Sequence, residues 1–186
     1  MGISYKNFWS LNTDEAVVIG HLRYRRPKDV EVFIPVNAQM KGIDLLLMNT
    51  KDNKKSITVQ IKGSRAFEPK KSEVIKYGDG NAGWFMLDHK TIFKSVADYF
   101  IFLIYVFEKN KKAGRQIISH HIITIPTKEL QGLTGKFKKL GKTKKYNFLF
   151  WVNPEKKTSH EFRDIQFDVS EYLDLKGLEK LNKRLV

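Results

Sequence analysis

The sequence predicts an α/β fold in a single domain that covers residues 1–186. A capped amphipathic segment near the start predicts a helix, and it leads into a run of β-branched residues that predicts a strand. Further strand-like runs follow, separated by polar turns. With 41% hydrophobic residues, a chain of 186 residues can bury an ordinary core without disulfides.

The first two elements are a helix and a strand. Residues 12–13 are typical N-cap residues, and Asp14 and Glu15 supply the acids that a first helical turn favours. The apolar spacing of residues 16–22 matches a helix face packed on a sheet. After a basic connector, residues 30–36 have the β-branched content of a strand.

Two strand-like runs, residues 43–48 and 56–62, then predict a β-hairpin with a polar turn between them. If Asp52 lies at the centre of the turn, the numbers of paired residues sum to about 104. That register places Asp44 opposite Gln60, with both side chains on one face.

The rest of the chain predicts further strands with long polar connections. Residues 63–82 are polar and basic, and we expect a substrate-facing loop there, since a connection of that length is usually functional. Strands are predicted over residues 84–87, 99–107, 116–125 and 146–152, and short helices over 91–97 and 126–130. Residues 168–185 predict an amphipathic closing helix that Gly177 interrupts.

Composition favours a cytoplasmic protein. The chain has no cysteine, so disulfides and thiolate zinc sites are excluded. Residues 1–8 lack the features of a signal peptide. The longest apolar run, residues 99–107, is about half of the roughly 20 residues that a membrane-spanning helix needs. We therefore expect no membrane association.

The charge of the chain favours a polyanionic partner. Lys and Arg number 34 against 20 Asp and Glu, which gives a net charge of +14. Such an excess attracts nucleic acid through long-range attraction and counterion release. A Lys-rich surface that only keeps the protein soluble, or a basic protein-interaction domain, would carry the same charge.

An Asp, a side-chain oxygen and a Lys on one hairpin face suit phosphodiester hydrolysis. Lys62 joins Asp44 and Gln60 on that face, because it lies two residues from Gln60 on the same strand. Hydrolysis at neutral pH needs a metal ion to activate water and a positive group to stabilise developing charge. Mg²⁺ prefers oxygen ligands, and opposed side chains begin only about 5 Å apart. The spacing therefore suits one shared ion.

These residues resemble the site of the PD-(D/E)xK phosphodiesterase superfamily: residues 42–44 are Gly-Ile-Asp and, after fifteen residues, residues 60–62 are Gln-Ile-Lys. The Glu on the first helix and the Val-Gln-Ile-Lys-Gly-Ser of residues 59–64 are similar to the Holliday-junction-resolvase and Mrr-like branches. The resemblance covers roughly residues 14–64. It implies a restriction-endonuclease-like fold, with a central mixed sheet flanked by helices and an N-terminal helix that precedes a strand and the hairpin carrying the site.

The resemblance also implies a metal-dependent endonuclease, with DNA as a more fitting substrate than RNA and Mg²⁺ or Mn²⁺ as cofactor. Asp44 is then the main metal ligand, Gln60 a second ligand or water-orienting group, and Lys62 the residue that positions the nucleophile. Glu15 is an acidic helper in catalysis and metal binding, and the carbonyl of Ile61 completes the metal's ligand shell. Cutting both strands would favour a homodimer.

Two positions depart from the superfamily's pattern. Ile43 replaces the Pro that leads the Asp, and Gln60 replaces an acid. Gln supplies an oxygen but no charge, so metal affinity falls unless Glu15 or a substrate phosphate compensates. Mrr-like enzymes are similar in using a Gln-x-Lys form. The alternative is a catalytically weak or inactive nucleic-acid-binding module of the same fold.

Basic residues around the motif are candidate phosphate contacts. They are Arg23, Arg25, Arg26, Arg65, Lys70 and Lys71. Residues 135–145 form the densest basic segment, with Phe137 and Tyr146 as candidate stacking groups. A solvated loop explains this segment equally well.

Two other polar features have simpler interpretations. Glu15 fits equally well as a first-turn acid that stabilises the helix dipole, and Glu31 is the nearest rival acid. His120 and His121 lie in an alternating strand, so they point to opposite faces, and we predict no shared metal site for them.

Overall fold

A computed structural model describes residues 13–35, 42–64, 69–110, 115–135, 145–162 and 167–186. Its helices are α1 (Thr13–Arg25), α2 (Lys71–Tyr77), α3 (His89–Phe93), α4 (Thr127–Thr134) and α5 (Asp174–Asn182), with a 3-10 turn at Ser170–Tyr172. Its strands are β1 (Val30–Phe33), β2 (Leu45–Asn49), β3 (Ser56–Gly63), β4 (Asn81–Asp88), β5 (Tyr99–Asn110), β6 (Arg115–Pro126), β7 (Lys145–Asn153), β8 (Thr158–Glu161) and β9 (Phe167–Asp168). The predicted α/β fold is confirmed at this level.

α1 is the predicted N-terminal helix. Asp14 and Glu15 lie in its first turn, where carboxylates stabilise the helix dipole. Glu15, Val18 and Leu22 form its buried stripe, at the spacing of one helix face. The predicted cap residue Asn12 lies outside the described residues.

Five strands form the first sheet, in the order β1-β2-β3-β5-β6. β3 and β5 run parallel, with Gln60 beside Phe100, and every other pair in this sheet runs antiparallel. The sheet is therefore mixed. Along the chain, a helix, a strand and a hairpin precede the parallel pair, as the sequence predicts.

The hairpin of β2 and β3 has the predicted register. Leu45 pairs with Val59 and the ladder continues toward the turn, so that paired residue numbers sum to 104. Lys55 N donates to the Asp52 carbonyl at 2.9 Å and closes the turn. A slip of one residue would move each side chain to the other face of the sheet, so this register decides which side chains lie together.

Two separate cores lie on the two faces of the first sheet. α1 and α5 cover one face, where Val18, Ile61 and Leu178 belong to one apolar cluster. The other face packs against a second, antiparallel sheet in the order β4-β7-β8-β9, with Phe102 and Phe150 in a second cluster. The first sheet is thus the middle layer of the molecule.

This second sheet differs from the expectation that helices flank the central sheet. Helices cover one face, whereas strands β4 and β7 cover most of the other. Side chains alternate along β4: Phe85 and Leu87 point inward, and Trp84 and Met86 point outward. Alternation along a strand predicts that one face is buried, but it does not say whether a helix or a sheet buries it.

Further predictions about connections need correction. Residues 63–82 are not one long loop, because α2 lies within them and β4 begins before their end. Gly177 does not interrupt the closing helix but lies inside α5, where a Cβ atom would stand 2.2 Å from the Tyr172 carbonyl oxygen. Strands β8 and β9 were not predicted, because they are short and polar. None of the described helices is long and apolar enough to cross a membrane.

Candidate active site

The carboxyl end of β3 carries the predicted site residues. Ile61 packs in the core beneath α1 and α5, so its neighbours Gln60 and Lys62 point to the opposite face. Asp44 lies immediately before β2, where its N–H donates to the Val59 carbonyl at 2.8 Å. The structure brings Asp44, Gln60 and Lys62 to one end of the hairpin, and their catalytic roles stay predictions.

The Asp44 carboxylate is turned toward β3. Its Oδ2 accepts a hydrogen bond from Ile61 N at 2.6 Å, in place of a backbone carbonyl of a longer β2. The regular pairing ends at Leu45, so Asp44 reaches the residue after Gln60 instead of pairing directly with Gln60. Since the N–H and C=O of a strand residue point the same way, the Ile61 carbonyl is also directed toward Asp44.

Gln60 is buried with an unsatisfied amide oxygen. Its side chain is 7% exposed, and Oε1 has no hydrogen-bond partner among the described residues. Gly42 lies near this amide, since a Cβ there would make an ordinary contact of 3.7 Å with Gln60 Nε2, and its φ of +90° is the reason that glycine is favoured at this position. A buried polar atom without a partner costs about 1–3 kcal/mol. An amide oxygen in that state is suited to bind a hard cation.

Oxygen atoms of three residues lie at this end of the hairpin: the Asp44 carboxylate, the Gln60 amide and the Ile61 carbonyl. This donor set fits Mg²⁺, which binds carboxylate, amide and carbonyl oxygens. In the part of the chain that the structure describes, no three His, Asp or Glu side chains are grouped to hold a metal. The set at β3 is of a different kind, because neutral oxygens make up most of it.

The first turn of α1 lies against the end of β3. A Cβ built on Gly63 would stand 1.8 Å from Asp14 Oδ2, so only glycine lets this carboxylate approach so closely. Tyr105 donates its hydroxyl to Asp14 Oδ1 at 2.9 Å. Burial, together with this hydrogen bond, raises the pKa of Tyr105 to about 12. Asp14 is thus a residue at the strand end that the sequence did not single out.

Glu15 comes to the same strand end from the other face. It shares the buried stripe of α1 with Val18 and Leu22, whereas Gln60 and Lys62 face the second sheet. To act at the metal, the Glu15 side chain would therefore have to reach around the end of β3. Its role as an acidic helper stays a prediction.

The arginines of the helix end are not close to the site. Arg23 and Arg25 lie in the last turn of α1, and Arg25 is about 15 Å along the helix from Glu15. Arg26 is held by Glu31 at 2.7 Å, which also removes Glu31 as a rival acid at the site. α1 runs away from the end of β3, and the contacts of these arginines with nucleic acid stay predictions.

The remaining basic residues have mixed outcomes. Lys70 and Lys71 are exposed at the start of α2 and are accessible to a phosphate backbone. Arg65 and residues 136–144 lie outside the described residues, so those predictions stay open. Tyr146 is buried, and it is therefore not the exposed stacking group that the sequence suggested.

The two strand histidines point to opposite faces, as predicted. His121 binds Asp174, with 2.7 Å between Nδ1 and Oδ2. His120 meets His21 of α1 edge to face, with 4.7 Å between ring centroids, beside a cavity of about 600 Å³ between α1 and α5. Burial, and then His120, lowers the pKa of His21. No sequence signal linked His21 or Asp174 to these histidines.

Comparisons of the chain with protein-family models, with characterised proteins and with solved structures found no match.

Proposed function

We propose that the chain is a metal-dependent nuclease that hydrolyses phosphodiester bonds in DNA, on a restriction-endonuclease-like fold. The oxygen set at the end of β3 carries the proposal: the Asp44 carboxylate is fixed on Ile61 N, and the amide oxygen of the preceding residue, Gln60, is buried and unsatisfied. The order of helix, strand and hairpin supports the fold. The net charge of +14 supports a polyanionic substrate.

Mg²⁺ is the proposed cofactor, with Asp44 as its charged ligand. Gln60 Oε1 and the Ile61 carbonyl would add neutral oxygens. When bound, the ion polarises the phosphate and makes a coordinated water more acidic. Asp44 needs a fixed orientation for this, and the hydrogen bond from Ile61 N supplies it.

Lys62 supplies the positive charge on the same face as Gln60. Its side chain is partly buried at the end of β3, where an ammonium interacts more strongly with a phosphate oxygen than it would in open solvent. From there it orients the attacking water and stabilises the charge that develops on the phosphate. Lys70 and Lys71 would hold the flanking backbone, because their side chains are exposed.

A second candidate function is a nucleic-acid-binding module of the same fold with little or no catalysis. Gln60 favours it, because an amide brings no charge to the metal and leaves Asp44 as the one carboxylate of the hairpin's oxygen set. In that case Lys62 would contact the backbone without positioning water. The two functions differ in whether Asp44 is needed for cleavage.

A plasmid-cleavage assay with Mg²⁺ or Mn²⁺ tests the proposal. We expect Asp44→Asn and Lys62→Met each to reduce cleavage at least about 100-fold, as for lost metal or charge-stabilising groups. Asp79→Asn and Lys54→Met are matched controls, since both side chains are exposed and lie away from β3's carboxyl end. They should cleave like the wild type.

Equal cleavage by all five proteins would refute the enzyme and trace the activity to a contaminant. Salt-dependent DNA binding without cleavage by any protein would instead support the binding module. If about six phosphates are contacted, the log–log slope of affinity against salt should be near −5. A flat line would remove nucleic acid as a partner.

A further inference from the structure

We propose that the outer face of the second sheet binds unpaired bases of single-stranded nucleic acid, with Trp84 as the stacking group. The proposal rests on nucleic acid being the partner, as in the proposed function, and it adds a preference for unpaired segments. Trp84 and Met86 point outward from β4 and are 41% and 50% exposed. On the neighbouring strand β7, Leu149 and Asn147 are their partners and are partly exposed.

The Trp84 indole is held across this face. Its Nε1 donates to Asn147 Oδ1 at 3.4 Å, although the backbone partner of Trp84 is Leu149. The bond is diagonal, so the ring extends over the strand pair and offers an aromatic surface beside Met86. A ring held in this way is a platform for a base, because every base has a π-face and stacking needs no particular sequence.

The platform adjoins the candidate active site. Trp84 N donates to Ser64 Oγ at 2.7 Å, and Ser64 follows Lys62 by two residues, at most about 7 Å along the chain. Ser64 is itself buried, so the contact between the end of β3 and β4 is part of the packed structure. Because Lys62 faces the inner side of the second sheet, a nucleic-acid strand with a base on Trp84 and a phosphate at Lys62 would pass around β4, the edge strand of that sheet.

The charge of the chain suits a nucleic-acid strand. Lys145 lies at the end of the same outer face, opposite Asp88, and the net charge of the whole chain is +14. Exposed apolar side chains on a chain of this charge suit a partner that has both flat apolar bases and a charged backbone. A second copy of this basic chain would suit it poorly.

Binding of a fluorescently labelled thymine oligonucleotide and of a matched duplex, each in EDTA to prevent cleavage, tests the proposal. Loss of one stacked base typically costs roughly 5- to 150-fold in affinity. We expect Trp84→Ala to weaken oligonucleotide binding within that range and duplex binding by less than about threefold. Trp84→Phe should restore most of the affinity, because a phenyl ring still stacks.

Tyr24→Ala is the matched control, since Tyr24 is an aromatic residue that is 79% exposed on the last turn of α1. This variant should bind the oligonucleotide like the wild type. Tryptophan fluorescence in a Trp9→Phe background gives a second measurement: of the two remaining tryptophans, Trp151 is fully buried, so quenching by the oligonucleotide should fall in Trp84→Phe. Equal losses for oligonucleotide and duplex, unchanged binding in Trp84→Ala, or a dimer that this variant dissolves would each overturn the proposal. Cleavage that fails while the Trp84 effect persists would refute the nuclease alone.

Discussion

Gln60→Glu is the substitution that most directly tests the oxygen set at β3. It keeps the shape of the side chain and supplies the acid that the PD-(D/E)xK pattern expects. Gln60 is 7% exposed, and in the proposed site it shares an ion with Asp44, so the introduced carboxylate would be buried next to a like charge. We expect the variant to be less stable than the wild type without metal and to regain stability when Mg²⁺ binds.

The size of both effects follows from the proposal that the two side chains share one ion. At an effective dielectric constant of about 20, two charges about 5 Å apart repel by about 3 kcal/mol. For a chain of this length, such a loss lowers the melting temperature by roughly 6–12 °C. Mg²⁺ at about 100 times its dissociation constant returns about 2.7 kcal/mol. Metal should therefore recover most of the loss.

Urea unfolding in EDTA and in Mg²⁺ measures these differences. Asn153→Asp is the matched control, because Asn153 is 2% exposed in β7 and lies away from the oxygen set. It should lose stability equally with and without Mg²⁺. Combining Gln60→Glu with Asp44→Asn removes the like-charge pair and should return about 3 kcal/mol in EDTA.

One pattern of results would refute the reasoning. If Gln60→Glu loses the same stability in EDTA and in Mg²⁺, and Asp44→Asn does not relieve the loss, the two side chains do not share an ion. The loss would then come from burial of a charge alone. The proposed metal set would have to be abandoned even if the protein binds DNA.

Three further predictions concern the stability of the fold. Burial lowers the pKa of His21, so the unfolded chain binds more protons below pH 6.5, and stability should fall there as pH falls; His21→Phe should flatten this part of a urea-unfolding series measured against pH. Gly177→Ala should lower the free energy of unfolding by about 1–3 kcal/mol, because its Cβ would meet the Tyr172 carbonyl at 2.2 Å, and an unchanged melting temperature would contradict that contact. Asp174→Ala should lower the free energy of unfolding by about 2–4 kcal/mol, since it removes a 2.7 Å hydrogen bond to His121. Asp174→Asn should lower it less, because Asn keeps an acceptor and tolerates the φ of +46°.

Local patterns predicted the hairpin well. Its polar turn and the alternation of its two strands fix the register by themselves, so the sequence alone places Asp44, Gln60 and Lys62 at one end of the hairpin. The first helix followed from its acids and its apolar spacing. Elements that depend on neighbours within a few residues are the ones that a single sequence describes.

Long-range packing was harder to predict from the sequence. The pattern of β4 indicated a strand but not that β4 and β7 would cover the first sheet. Glu15 lies on the buried stripe of α1, so it comes to the end of β3 from the other face than Gln60, which the sequence did not indicate. Arg23 and Arg25 lie in the last turn of α1, whose direction sequence distance does not indicate. Each difference concerns where an element lies after it has formed.

The first sheet separates two cores whose side chains do not mix, because neighbouring residues of a strand point to opposite faces. Stability effects of distant substitutions usually add within about 0.5 kcal/mol. The α1–α5 layer and the second sheet can therefore be engineered separately, and the gains combined. A stabilised helical layer would also give a tolerant background for randomising Trp84 and its neighbours, so that directed evolution could alter the binding preferences of the second sheet while the fold is maintained.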